Sequence, residues 1–123
     1  MIYNEKYKLK YYKNSQTKKS PVLEYIRSLT LREQAKIYKY VDFLQERRGV
    51  LDEPYSRHIK GKIRELRVDF ARSRHRIFYF TFIEKTIILL HAFLKKTDKT
   101  PELEIEIAEN NHRDVLANKE IYK

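Results

Sequence analysis

The sequence predicts an α+β fold: a small antiparallel sheet with one mixed edge, an N-terminal helical hairpin packed on one face and a C-terminal helix, in the order β-α-α-β-β-β-α. Three observations carry that reading. Two capped amphipathic stretches follow one another between Ser20 and Gly49, three strand-like segments joined by hairpin-length links run from Lys62 to Leu94, and a short alternating segment precedes them all. A chain of 123 residues is long enough for one domain with a real core and too short for two comfortable ones, so residues 1–123 are read as one unit.

The elements follow in order. In EKYKLKYY, Lys6, Lys8 and Lys10 alternate with Tyr7, Leu9 and Tyr11, the period of two of a half-buried outer strand. SPVLEYIRSL offers Ser20 as N-cap and Pro21 in the first helical position, where its missing N–H costs nothing; Val22, Ile26 and Leu29 then share a face. Thr30 with Glu33 three residues on opens a second helix over Leu31 to Arg48, with Ile37, Val41 and Leu44 on one stripe, and Gly49 stops it. The link between the two is so short that they must form an antiparallel hairpin, whose apolar stripe needs a sheet to lie against.

VLDEPYSRHIKGK, with Pro54 and Gly61, reads as a loop. Strands then cover roughly Lys62 to Phe70, Arg74 to Ile83 and Thr86 to Leu94, an antiparallel meander. The last of them, TIILLHAFL, is apolar almost throughout and is expected to be the best covered, with helices on one side and the lower part of a cleft on the other. Beyond Pro101, ELEIEIAE alternates like a strand, yet Thr100 and Pro101 form a helix start with Glu102 and Glu104 near the positive end of its dipole; helix is the prediction. The tail from Asn110 onward is polar enough to fray.

Composition narrows the function classes. With 27 Lys+Arg against 17 Asp+Glu the net charge is +10, which points to a polyanionic partner, although a lysine-rich composition gives the same sum without binding anything. The absence of cysteine rules out a disulfide framework and a thiolate zinc site. No apolar leader follows Met1 and no apolar run reaches the length of a membrane span, so a cytoplasmic protein with no membrane partner is expected.

Side-chain parity locates the basic groups. In KIRELRVDF, Leu66, Val68 and Phe70 share one face and Glu65 and Arg67 the other; if the helices cover the first set, Arg67 stands on the open face. In RHRIFYF, Arg74, Arg76 and Phe78 oppose His75, Ile77 and Tyr79, and the sequence does not fix which row is open. Lys95 continues the row of His91 and Phe93, whereas Lys96 leaves the other way. If the meander pairs in this way, Arg67, Arg76 and Lys95 approach one another, and Lys60 and Lys62 enter from the preceding loop.

Such a cluster suits a phosphate, since guanidinium groups match its oxygens in pairs and ammonium groups act as adaptable point charges. Crowded cations also push a lysine toward its neutral form, fit to take the proton of a ribose 2′-hydroxyl while Arg67 or Arg76 stabilises the charge that develops at the adjacent phosphorus. That reaction cleaves RNA, leaves a 2′,3′-cyclic phosphate and requires no metal or cofactor. The competing readings are structural. Lysines after a strand are commonly solvated ends, Arg76 can pair with Glu65 across two strands, His91 in an apolar strand suits a satisfied core position, and Phe93 is expected in the core. His58, in the basic loop, is a further candidate contact.

The ordered string YSRHIKGKIRELRV, RHRIFYF and LLHAFLKKTDKTPELEIEIA resembles the HigB-like, phage-derived branch of type II toxin–antitoxin toxins, within the RelE/ParE superfamily. The likeness runs from about Pro54 to Ala108, with PVLEYIRSL as weaker support, and rests on E-L-R, R-I-x-Y and H-x-F-x-K-K-T-x-K-T-P in this order and spacing. It implies a compact sheet on a helical pair and an mRNA endoribonuclease that acts on ribosome-bound transcripts without a cofactor. It also implies a cognate antitoxin, typically HigA-like with a helix-turn-helix domain, which blocks the toxin and is its only route to operator DNA. Carried over by position, Arg67 is the phosphate-binding arginine, Lys60 and Lys62 are the basic loop before it, and Lys95 and Lys96 are the pair that closes the site. Arg76 matches the R-I-x-Y arginine, either catalytic or architectural. The segment RSRHRI departs from the glycine or aspartate of many relatives, which leaves Arg74 or His75 to take part of the role and leaves the general base open between a lysine and His75. Two other functions compete: a ParE-like inhibitor of DNA gyrase, and a basic nucleic-acid-binding protein with no catalysis.

Overall fold

The computed structural model describes residues 5–83 and 85–123. Its elements are β1 (Lys8–Tyr11), α1 (Pro21–Arg27), α2 (Leu31–Glu46), β2 (Ser56–Lys60), β3 (Ile63–Phe70), β4 (Ser73–Phe82), β5 (Thr86–Leu94), α3 (Glu102–Ala117) and a 3-10 turn (Lys119–Tyr122). The five strands lie in the order β1-β5-β4-β3-β2, with β1 parallel to β5 and every other pair antiparallel. The α+β class and the mixed edge are as expected. One element is new: the segment read as a loop contains β2, which pairs Ser56 with Leu66 and Arg57 with Glu65 and forms the outer edge.

Local chemistry explains the helical pair. Thr30 caps α2, its hydroxyl accepting from the Glu33 N–H at 3.2 Å while the Glu33 carboxylate accepts from Thr30, the reciprocal pattern that satisfies two orphan donors. Ser20 holds the N-cap position of α1, but its hydroxyl makes no cap bond; Pro21 makes the start without it. After α2 the chain turns at Gly49, φ +87°, where a β-carbon would stand 2.6 Å from Thr81 Oγ1. α2 itself ends at Glu46 through a left-handed Arg48, φ 59°, and the glycine that follows lets the chain approach β4.

The sheet is covered on both faces, unequally. On one side Val22, Ile26, Ile37, Val41 and Leu44 of α1 and α2 pack on Leu66, Val68, Ile77, Tyr79, Ile87 and Leu89. On the other, Ala108 and Val115 of α3 and Tyr122 pack on Phe78, Phe80, Phe82, Ile88 and Leu90. β5 lies between β1 and β4 and is covered on both faces, which is why its sequence is apolar without alternation. Each of these aliphatic side chains, fully removed from water, contributes about 1.5–3 kcal/mol.

A register shift adjusts the row on β5. Phe78 pairs with His91 but Tyr79 with Leu89, so Leu90 and His91 both turn toward the α3 side. The segment from Asn110 on, expected to fray, forms the last turns of α3 and the 3-10 turn. Asp114 accepts from Tyr12 at 2.7 Å, and the Tyr122 hydroxyl exchanges bonds with the backbone of Lys13. Polarity alone misjudged this tail, because Val115 and Tyr122 are buried anchors inside it. Among the described residues no helix is long and apolar enough to cross a membrane.

Candidate functional site

α3 covers only part of its face. Its side chains lie over Phe80, Phe82, Ile88 and Leu90, while toward the β3–β4 turn the row changes from apolar to charged. There the register sets Arg67 opposite Arg76, and Arg76 opposite Phe93. One step along, Asp69 faces Arg74, whose carbonyl accepts from the Lys95 N–H at 2.8 Å. Directly opposed residues on one face have β-carbons about 4.5–5.5 Å apart, so three arginines and a lysine converge on one corner of the sheet. This is the row in which sequence parity grouped Arg67, Arg76 and Lys95.

The corner is held by unequal partnerships. Arg76 is 2% exposed; its Nη1 donates to Asp69 Oδ1 at 2.7 Å and to the His75 carbonyl at 3.0 Å, and its Nε has no partner among the described residues. The expected pairing of Arg76 with Glu65 is replaced by one between Arg67 and Glu65, Nε to Oε1 3.5 Å. Asp69, two residues along the same row, is nearer to Arg76. Glu65 is almost fully buried and its Oε2 has no partner among the described residues. Unpartnered atoms of this kind also occur away from the corner, at Ser20 Oγ and Arg64 Nε, so the concentration of like charge marks the site more firmly than they do.

Lys95 is 7% exposed at the end of the β5 row. Its ammonium is held below the usual lysine range first by burial and then by the charges of Arg76, Arg67 and Arg74, with Glu65 acting in the opposite sense. Arg74 is half exposed, 3.9 Å from Asp98. Lys96 is exposed and beyond the end of β5. Phe93 is buried as expected, edge-on to Phe78 at 5.2 Å and stacked on His91, and makes the apolar floor beside the cations. His91 reaches Glu104 at the start of α3, which fixes the helix over this floor.

Four expected contacts stand elsewhere. His75, one residue from Arg76, points to the helical face and is 1% exposed; Nδ1 meets the Tyr25 hydroxyl at 2.7 Å and Nε2 meets Glu33 Oε2 at 2.6 Å. Burial and the Glu33 charge push the Tyr25 hydroxyl up to about 12, while hydrogen bonds from Thr30 and His75 lower the Glu33 carboxyl. Lys60 and Lys62 flank the β2–β3 turn, at the far end of β3: from Ile63 to Arg67 is roughly 13 Å of strand. Lys60 reaches Glu109 of α3 at 3.4 Å. His58 is exposed on β2, cross-strand from Arg64 and bonded to the Gly61 carbonyl at 2.7 Å. A turn leading into β3 must lie at the opposite end of that strand from its exit, and the corner is at the exit.

Sequence reasoning passed over Asp69 and Arg57. Asp69 shares the parity of Arg67, so its place in the row was available; Arg57 had no signal because β2 was not seen. A groove of about 450 Å³ at the end of α2, lined by Tyr40, Phe43, Val50, Leu51 and Tyr55, lies apart from the corner; its single cation, Arg47, is outnumbered there by Glu46 and Asp52, so the chemistry is placed at the corner. Among the described residues no three His, Asp or Glu side chains come together as a metal-binding group. The arrangement can grip a tetrahedral anion through Arg67 and Arg74 and present an amine beside it.

The model of a family described as phage derived protein Gp49-like (DUF891) matches residues 24–113, from α1 into α3 and across the whole corner. That family is associated with RelE-like toxins of toxin–antitoxin systems. No curated protein matches the sequence.

Proposed function

This chain belongs to the Gp49-like family of phage-derived proteins, and from that premise we propose that it is the toxin of a type II toxin–antitoxin module, a HigB-like endoribonuclease that cuts mRNA on the ribosome. The observation that carries the reading is the corner of Arg67, Arg74, Arg76 and Lys95, a buried lysine amid three guanidinium groups at the uncovered end of the sheet. A protein that only inhibits an enzyme by docking has no need of a buried amine held toward its neutral form.

The chemistry runs through the chain's own groups. Arg67 and Arg74 hold the non-bridging oxygens of the scissile phosphate and gain strength as charge builds on them. The neutral amine of Lys95 takes the 2′-hydroxyl proton, the 2′-oxygen bonds to phosphorus, and the bond to the 5′-oxygen breaks; the 5′-oxygen takes a proton from water, leaving a 2′,3′-cyclic phosphate and a 5′-hydroxyl end, and the Lys95 ammonium returns its proton to solvent. Lys96, exposed at the rim, supplies charge to the departing strand. Arg76, bound to Asp69 and the His75 carbonyl, sets the positive floor and holds the β3–β4 corner in shape. The scheme calls on no metal. His75 is not its base, because both ring nitrogens are committed to Tyr25 and Glu33.

A cognate antitoxin with a helix-turn-helix domain completes the module and blocks the corner until it is removed. The test is induced expression of wild type beside Arg67→Ala, with primer extension on abundant mRNAs. New 5′ ends inside translated regions, absent in the variant, are expected. Growth arrest without cuts would overturn the nuclease reading in favour of a gyrase inhibitor, and cuts that persist in the variant would remove Arg67 from the site.

A further inference from the structure

We infer that the edge strand β2 provides a second, non-catalytic contact for the RNA, a line of cations formed by Arg57 with Lys60 and Lys62 that grips the strand flanking the cut. This rests on the nuclease reading above and adds to it where the flanking nucleotides lie. Arg57 pairs with Glu65, so its side chain emerges on the face of the corner, diagonal to Arg67. Diagonal neighbours on one face stand roughly 7–8 Å apart, within reach of a single phosphate backbone. Arg57 is exposed, and among the described residues no carboxylate lies within ion-pair distance of it.

The line continues at the β2–β3 turn. Lys62 is exposed beside Gly61, and among the described residues Lys60 is partnered by Glu109 at 3.4 Å, an exposed pair that a phosphate can displace at little cost. The field there is positive: burial, then the charges of Lys62 and Arg113, hold the His112 imidazole below its usual range, against Glu109. The roughly 13 Å of β3 between this turn and Arg67 accommodates a few nucleotides of a single strand. No exposed aromatic ring lies along β2 itself, so the contact is to the backbone and indifferent to base identity.

A charged edge strand also has a plain purpose, since charge on an outer strand discourages pairing with another chain. That purpose is served by either sign. Three cations in a line that leads to the corner are what a polyanion requires, and the two explanations separate on reversal of charge.

The experiment measures binding of 2′-O-methyl RNA, which cannot be cleaved, as a trimer and as a decamer, between about 50 and 200 mM salt. The proteins are wild type, Arg57→Glu, and the triple variant Arg57→Ala, Lys60→Ala, Lys62→Ala, each checked for unchanged circular dichroism. Each phosphate contact to a single strand contributes a slope of about 0.7, so the triple variant is expected to lose about 2 from the salt slope for the decamer. Its decamer affinity is expected to fall roughly tenfold, toward that of the trimer, while trimer binding is unchanged. Arg57→Glu keeps a charged edge and is expected to weaken decamer binding alone. An unchanged slope in the triple variant, wild-type affinity in Arg57→Glu, or equal loss for trimer and decamer would each overturn the inference and leave the nuclease reading standing. Wild type that binds the decamer with the expected slope yet yields no cuts by primer extension would overturn the nuclease reading instead, and wild type that binds no RNA would overturn both.

Discussion

His75 and Arg76 are neighbours on β4, both almost fully buried, and they point to opposite faces of the same sheet. Toward the helices, His75 has a partner for each ring nitrogen, so that side is closed. Toward α3, among the described residues, Arg76 uses one nitrogen on Asp69 and a carbonyl and leaves Nε without a partner, beside a glutamate with a free oxygen and a lysine among arginines. The difference separates two uses of a buried polar group. A satisfied one fixes a helix hairpin to a sheet, while a partly satisfied one under crowded like charge holds free energy that an incoming anion can release.

Variants on the two faces sharpen this contrast, and the largest effect is expected from adjacent residues of β3. Arg67→Ala should reduce cutting by about 10²–10³, at a stability cost of about 1–2 kcal/mol, because its side chain is outside the core but is paired with the buried Glu65. Leu66→Ala, on the helical face, should cost about 2–5 kcal/mol in chemical denaturation while cutting by the folded fraction persists. If the two phenotypes coincide, the faces are not separable.

Lys95→Ala should lose on the order of 10² in cutting rate and Lys96→Ala less than tenfold, read as initial rates on one transcript; equal losses would remove the buried lysine from its role as base. The depressed Lys95 pKa also has a sign in stability. The folded state binds the proton less tightly than the unfolded chain, so the stabilising share is present in full only above the ordinary lysine pKa near 10.5 and is lost as pH falls through the lowered value. Lys95→Met should therefore melt above wild type at neutral pH, and the gap should narrow as the pH approaches 10.5. A gap that widens with pH would contradict the direction given for Lys95.

His75→Ala should cost about 2 kcal/mol, since it strands Tyr25 and Glu33. Cutting per folded molecule should be kept, which a stopped assay normalised to native protein by circular dichroism would check. A specific loss of cutting would return His75 to the site. Smallest of all, Tyr25→Phe should cost about 1 kcal/mol in denaturant and nothing in cutting.

Much of this was legible in the chain. The cap at Thr30, the stripe of Ile37, Val41 and Leu44, and the parity of Leu66 against Arg67 are local facts, and local facts give elements and faces; the end of α2 was placed two residues late, because Arg48 and not Gly49 takes the left-handed turn that closes it. β2 was hidden because SRHIK is short, flanked by Pro54 and Gly61, and mostly exposed at an edge, so it lacks the apolar alternation that announces a strand. The grouping of Arg67, Arg76 and Lys95 was legible as parity, but which row the helices cover depends on contacts from β4 to residues 50 and 42 positions earlier, Tyr25 and Glu33. No window along the sequence contains those. The placement of Lys60 and Lys62 failed for a related reason: closeness in sequence to β3 says nothing about which end of it.

β5 lies between β4, its neighbour in sequence, and β1, whose Lys8 pairs with Thr86. Synthesis therefore delivers β1, α1 and α2 long before the strand that they need. Until Leu94 has left the exit tunnel, the nascent chain has no central strand on which to close, and the long loop joining β1 to β5 makes that step slow relative to the local β3–β4–β5 meander. Lys95 follows directly on β5. A chain that stops short of Lys95 thus lacks both the strand that completes the core and the amine that completes the corner, so the core and the corner are finished together.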